Sequence, residues 1–193
     1  MSDAPPITLD TPNYRLRTLR PDDACESWTR WLLDPDAARN LNTTPRVMSI
    51  EQIRAYIARF DSRTNFLFGI FDKETDALVG IRSVYVDRER RSFVDNILIG
   101  EVSARGKSAR RESSDAMWRY LFEDLDLTCC RCAILAENEH MLAVVKQRGF
   151  VHEHTSHRPS ATGTGQLELR HFRLDRDTWR QKQKEQAAAR ASP

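Results

Sequence analysis

The run Arg105-Gly106-Lys107-Ser108-Ala109-Arg110-Arg111-Glu112 gathers the residues of this sequence best suited to chemistry. Arg105, Lys107, Arg110 and Arg111 surround a glycine that lets a ligand approach the backbone closely. Residues 93–101 before it read as a strand. Residues 113–125 after it read as a helix, with Met117, Trp118, Leu121, Phe122 and Leu125 at helical spacing. A basic loop that opens a helix is an anion site. Its unpaired backbone N–H groups and the positive end of the helix dipole point the same way. The expected ligand is a phosphate or pyrophosphate. The spacing matches neither G-x-x-x-x-G-K-[ST] nor G-x-G-x-x-G.

A second informative stretch is 137–150. Asn138 begins a helix and Gly149 ends it, with Phe150 following. Around these two stretches the elements alternate. Residues 14–19 read as a strand, and Pro21-Asp22-Asp23 starts a helix with Trp28, Trp31 and Leu32 on its apolar side. Ser49 caps a second helix, with Gln52 in the capping-box position and Ile53, Tyr56, Ile57 and Phe60 turned inward. Residues 66–71 and 77–86 form a hairpin, and 93–101 completes a three-strand meander. Strands follow at 127–136, at 151–154 and at 166–174, with a loop at 157–165. Residues 1–12 read as a flexible lead, 13–179 as one domain, and 180–193 as a polar tail.

Composition narrows the classes. With 193 residues and 40% hydrophobic content, one domain with a packed core is expected. The 30 Lys and Arg nearly balance the 28 Asp and Glu, so no global field attracts nucleic acid. No apolar run is long enough to span a membrane and the N-terminus lacks a signal-peptide core, so a cytoplasmic protein is expected. Cys25, Cys129, Cys130 and Cys132 lack a second metal-ligand pair and read as reduced thiols. His152 and His154 share a strand face with His157 nearby, but no carboxylate or cysteine cluster accompanies them, so no metal is expected.

The basic loop resembles the acyl-CoA loop of the GNAT N-acetyltransferase superfamily. The block Asn138…Gly149-Phe150 is similar to a second mark of that family, and Ile97-Leu98-Ile99-Gly100-Glu101 to a third. The element order also agrees, over about residues 14–179. The resemblance implies an α/β (α+β) single domain, with a mixed central sheet of six to seven strands and helices on both faces. It implies transfer of an acetyl group from acetyl-CoA to a primary amine in a ternary complex. The acceptor would be a small molecule, an amino sugar or a protein N-terminus. Backbone N–H groups from Arg105 through Gly106, Lys107 and Ser108 to Ala109 would cradle the CoA pyrophosphate. The pantetheine would run past Ile99 and Gly100, between splayed strands, with Asn138 beside it. The exposed sheet edges of such folds also suggest a homodimer.

Two departures matter. Ser108 and Arg110 stand where the family carries small residues, so Arg110 either contacts a CoA phosphate or obstructs it. The tyrosine that many relatives use as general acid falls at Val145, and the serine of other branches at Met141. Neither replacement donates a proton. Asp95 and Glu101 lie on the strand before the loop, and either could accept the ammonium proton, against the plainer reading of a solvated or structural carboxylate. Glu112 reads as structural. His140 lies near Asn138 in an ordinary helix position. The competing reading is a catalytically degenerate relative that binds a ligand or partner on the same fold.

Overall fold

The computed structural model describes residues 6–35, 38, 44–106, 108–161 and 165–191. Alternation builds its sheet. In Tyr14–Thr18 (β2), Tyr14, Leu16 and Thr18 are buried while Arg15 and Arg17 stay partly exposed. Thr8–Asp10 (β1) pairs with β2, so part of the expected flexible lead is a sheet edge. The meander follows as Asn65–Asp72 (β3), Leu78–Asp87 (β4) and Ser92–Ile99 (β5). Cys129–Leu135 (β6), Val151–Pro159 (β7) and Gln166–Asp175 (β8) complete the sheet. The order is β1-β2-β3-β4-β5-β6-β8-β7, one mixed sheet of eight strands rather than the expected six to seven. β1 accounts for the excess, since three residues are too few to display a period. β7 also runs on to Pro159, through part of the expected 157–165 loop, because it pairs with β8 as far as Pro159↔Gln166.

Helices cover both faces. On one face lie Glu26–Trp31 (α1), preceded by a 3-10 turn at Pro21–Asp23, and Ile50–Ile57 (α2). Trp28, Trp31, Ile53 and Ile57 pack there on Leu19, Leu67 and Phe71. The expected capping box is present: Gln52 N–H donates to Ser49 Oγ at 3.2 Å and Ser49 N–H to Gln52 Oε1 at 2.9 Å. On the other face lies Ala109–Arg119 (α3), continued by a π-helical turn at Tyr120–Asp124. Its Met117, Trp118, Leu121 and Phe122 pack on Leu16, Phe66, Phe68 and Phe93. Glu139–Gln147 (α4) and Arg176–Ala191 (α5) add Val145 and Trp179 to this core. Gly149 ends α4 at φ +86°, a conformation that side-chain-bearing residues rarely adopt. The expected tail from residue 180 is helix as far as Ala191, tied down where Arg180 donates to both Glu123 oxygens at 2.8 and 2.6 Å.

α3 starts at Ala109, four positions before the expected start at residue 113. Its first turn is buried by polar contacts instead. Glu112 is 5% exposed and accepts from Thr11 Oγ1 at 2.8 Å, Asn13 N at 3.0 Å and Asn13 Nδ2 at 2.7 Å. Burial raises its pKa, but the hydrogen bonds from Ser108, Asn13 and Thr11 outweigh this and bring it from 4.5 to about 2. A depressed carboxylate stabilises the fold above its unfolded value and loses that contribution as pH falls through its folded value. Glu112 therefore contributes roughly 2–3 kcal/mol that disappears between pH 4.5 and about 2. Urea unfolding across that window is expected to show wild type losing stability, with Glu112→Gln less stable at pH 6 and flatter in acid. Equal slopes for the two would remove Glu112 from this role.

Candidate functional site

The site begins with a split in the sheet. β5 and β6 are parallel neighbours only over Ser92↔Cys129, Phe93↔Cys130 and Val94↔Arg131. Beyond that, β5 stays on β4 through Ile99↔Gly80, and β6 stays on β8 through Leu135↔Leu169. The two strands thus part at their C-terminal ends, where their facing backbone groups have no ladder to each other.

A buried ion pair sits where they part. Asp95 is the first β5 residue past the parallel register. Its side chain is 2% exposed and that of Arg82, on β4, is 1% exposed. Arg82 Nε donates to Asp95 Oδ1 at 3.2 Å and Nη2 donates to Oδ2. Arg82 Nη1 also donates to Ser113 Oγ at 3.0 Å and Ser114 Oγ at 3.1 Å, both on α3. Trp118 Nε1 donates to Asp95 Oδ2 at 2.7 Å. Asp95, expected as a proton acceptor, is thus enclosed on the α3 face and bonded through both oxygens. Sequence reasoning missed Arg82. Its signal was a charge at an inward position of an apolar strand, between Gly80 and Val84.

The basic loop closes the open end. Val102–Ala104 forms a 3-10 turn. The Arg105 side chain folds back under the loop, with Nε donating to Ile99 O at 3.1 Å, and Nη2 donating to Gly100 O at 3.1 Å and to Asp34 Oδ2 at 2.5 Å. Its charge therefore anchors the loop. Gly106 adopts φ +74° in open space, consistent with a backbone left accessible to a ligand. Lys107 lies outside the described residues. Ser108 is the N-terminal cap position of α3, and Ala109 is fully buried behind it. Asn138 caps α4, its Oδ1 accepting from Met141 N at 3.1 Å. The N-termini of α3 and α4 thus follow the ends of β5 and β6. Arg110 spans them: Nη1 donates to Met141 Sδ at 2.8 Å and Nη2 lies 3.0 Å from His140 Nε2. Burial lowers its pKa and the neighbouring Arg148 lowers it further. Arg110 has no carboxylate partner among the described residues.

On the opposite face, α1, α2 and the 44–48 segment border an open cavity of about 240 Å³ over β4 and β5. Trp28, Trp31 and Tyr56 wall it, while Ser83 and Asn96 belong to its floor strands. The aromatic residues thus serve both the core and the cavity. Glu101 accepts from Trp31 Nε1 at 3.1 Å and stands outside the lining residues. Gly100 is required by the same tryptophan, since a Cβ there would lie 1.9 Å from the indole.

The other candidates lie elsewhere. Burial raises the Cys129 and Cys130 thiols, and burial together with Asp95 pushes Cys132 up to about 12. None of these is a ready thiolate nucleophile. His154 stacks on His171 across β7 and β8, with ring centroids 4.2 Å apart. Among the described residues no group of three His, Cys, Asp or Glu could hold a metal ion, and no helix is long and apolar enough to cross a membrane. Val145 is buried and Met141 touches Arg110, so neither position offers a hydroxyl.

A split sheet with a helix-opening loop at its mouth defines an acetyltransferase fold, and the comparisons agree. Residues 13–151 match the family model described as acetyltransferase (GNAT) domain, and the chain belongs to that family. No curated protein matches. Among solved structures, a GNAT-family acetyltransferase from Bacillus anthracis is 14% identical over 89% of this chain and 99% of its own, with TM-score 0.72. A ribosomal-protein-S5-alanine acetyltransferase from Vibrio fischeri is 15% identical over 90% and 98%, with TM-score 0.74. A spermidine N-acetyltransferase from Vibrio cholerae, in complex with CoA and spermine, is 16% identical over 88% and 99%, with TM-score 0.75. At these identities the likeness is one of fold.

The ion pair at the split is testable. Arg82→Met leaves a buried carboxylate unpaired and is expected to cost about 3–5 kcal/mol in chemical unfolding. The double variant Arg82→Met/Asp95→Leu should recover much of that loss. A single variant within about 1 kcal/mol of wild type would contradict this account.

Proposed function

We propose that the chain transfers an acetyl group from acetyl-CoA to a primary amine directly, within a ternary complex. One observation carries the reading. The gap between β5 and β6 has two helix N-termini at its mouth, and the apolar cavity on the α1–α2 face reaches β5 at 96–98, beside the same gap. A thioester lying in the gap would meet an amine entering from the cavity.

Backbone N–H groups between Arg105 and Ala109, Lys107 included, would receive the pyrophosphate at the positive end of α3. Arg110, half-buried between His140 and Met141, would gain an anionic partner that no described residue supplies. Asn138 serves by capping α4, which fixes that helix beside the gap. The backbone at Ile99 and Gly100 would flank the pantetheine, and a strand N–H in the gap would polarise the carbonyl. Asp95 is assigned a positioning role, and Glu101 is the carboxylate assigned to take the ammonium proton through water.

The amine nitrogen then bonds to the carbonyl carbon, the C–S bond breaks, and the N–H proton goes to the thiolate through solvent. No side-chain acid is needed, which suits Val145 and Met141. The high thiol pKa values on β6 argue against an acetyl-cysteine relay.

Calorimetry with acetyl-CoA should give micromolar binding, weakened at least about tenfold in Arg110→Gln, or 1.4 kcal/mol. Tighter binding in the variant would mean that Arg110 obstructs the phosphates. Double-reciprocal plots against both substrates should intersect. No heat in wild type would favour a non-catalytic relative.

A further inference from the structure

The cavity floor carries two polar side chains that nothing in the described fold engages. Ser83 on β4 and Asn96 on β5 are directly opposite in register. Both line the cavity; Ser83 is half-buried and Asn96 is exposed at its solvent side, and no side-chain hydrogen bond joins either to another described residue. Opposed residues on one sheet face stand about 5 Å apart, close enough for one small group to touch both. Asn96 lies two positions past Val94, the last β5 residue in parallel register, so the pair borders the split itself.

The walls narrow the ligand further. Above the pair stand Trp28, Trp31 and Tyr56, with Trp28 and Tyr56 edge to face at 6.0 Å. Such surfaces favour a flat apolar body. The cavity is about 240 Å³ and open to solvent at Arg46 and Asn96, so a small amine can enter it. Charge argues against a longer polycation. Among the described lining residues the only ionised side chain is Arg46, a cation. A second ammonium on the ligand would meet no carboxylate among the described lining residues and would lie on the same side as Arg46. The same environment favours the neutral amine, which is the form that attacks a carbonyl.

Resting on the acetyl-transfer reading above, we infer that the acceptor is a small arylalkyl primary amine, its nitrogen docked on Ser83 and Asn96 and its ring held by the tryptophans, and that polyamines are not substrates. The protein differs in this from the spermidine N-acetyltransferase that shares its fold.

The test uses the full chain with acetyl-CoA and a free-thiol readout. Phenethylamine and tryptamine should show kcat/KM at least tenfold above spermidine. Asn96→Leu keeps the volume and removes the hydrogen bonds. It should raise KM for phenethylamine at least tenfold while leaving acetyl-CoA affinity by calorimetry unchanged. A separate titration follows tryptophan fluorescence with phenethylamine alone, which should perturb wild type at concentrations that leave Asn96→Leu unaffected. If acetyl-CoA fails to bind but this titration succeeds, the transfer reading falls and the cavity assignment stands. Spermidine turned over faster than phenethylamine, or an unchanged KM in Asn96→Leu, overturns the inference. So does wild-type fluorescence indifferent to phenethylamine.

Discussion

Everything near the site depends on a pair of opposite charges taken out of water. Arg82 and Asp95 lie on adjacent strands, and their remaining hydrogen-bonding capacity is met by Ser113, Ser114 and Trp118 of α3. A charge in so dry a place is tolerated only when paired and bonded, so the network tolerates little change in the spacing of β4, β5 and α3. It sits where β5 leaves β6, which lets the strands diverge beyond it without disturbing the packing behind. The split is therefore a fixed opening rather than a loose seam.

The two sides of that opening differ in chemistry. Toward α3 and α4 it is cationic and rich in unpaired helix N–H groups, suited to phosphate. Toward α1 and α2 it is aromatic and nearly uncharged, with Trp31 packed against Gly100 at the strand end. Arg105 links the sides by bonding the loop to Asp34 and to the last carbonyls of β5.

Much of this was legible in the sequence because the signals are local. The capping box at Ser49, the glycine at 149 and the strand alternation each act within a few residues. The family marks at Arg105–Glu112 and Asn138–Phe150 are similarly short. What escaped was long-range or non-apolar. The first turn of α3 is buried by Glu112, Ser113 and Ser114, which no hydrophobic period can reveal. Whether Asp95 was a solvated or a structural carboxylate stayed open in the sequence because its partner lies 13 residues away on another strand. The Arg105 guanidinium bonds to Asp34, 71 residues distant, a partner that the loop's own sequence cannot announce. Ser83 and Asn96 carry no motif at all, and only the register brings them together.

The pleat has one further consequence. Arg82 and Ser83 are neighbours in sequence, as are Asp95 and Asn96, but each pair divides between the two faces of the sheet. One parity holds the strands apart; the next residue along faces the cavity. A substitution at 83 or 96 therefore alters the cavity face alone, while one at 82 or 95 alters the buried ion pair. The lining of the cavity and the stability of the sheet are thus carried by different residues of the same two strands.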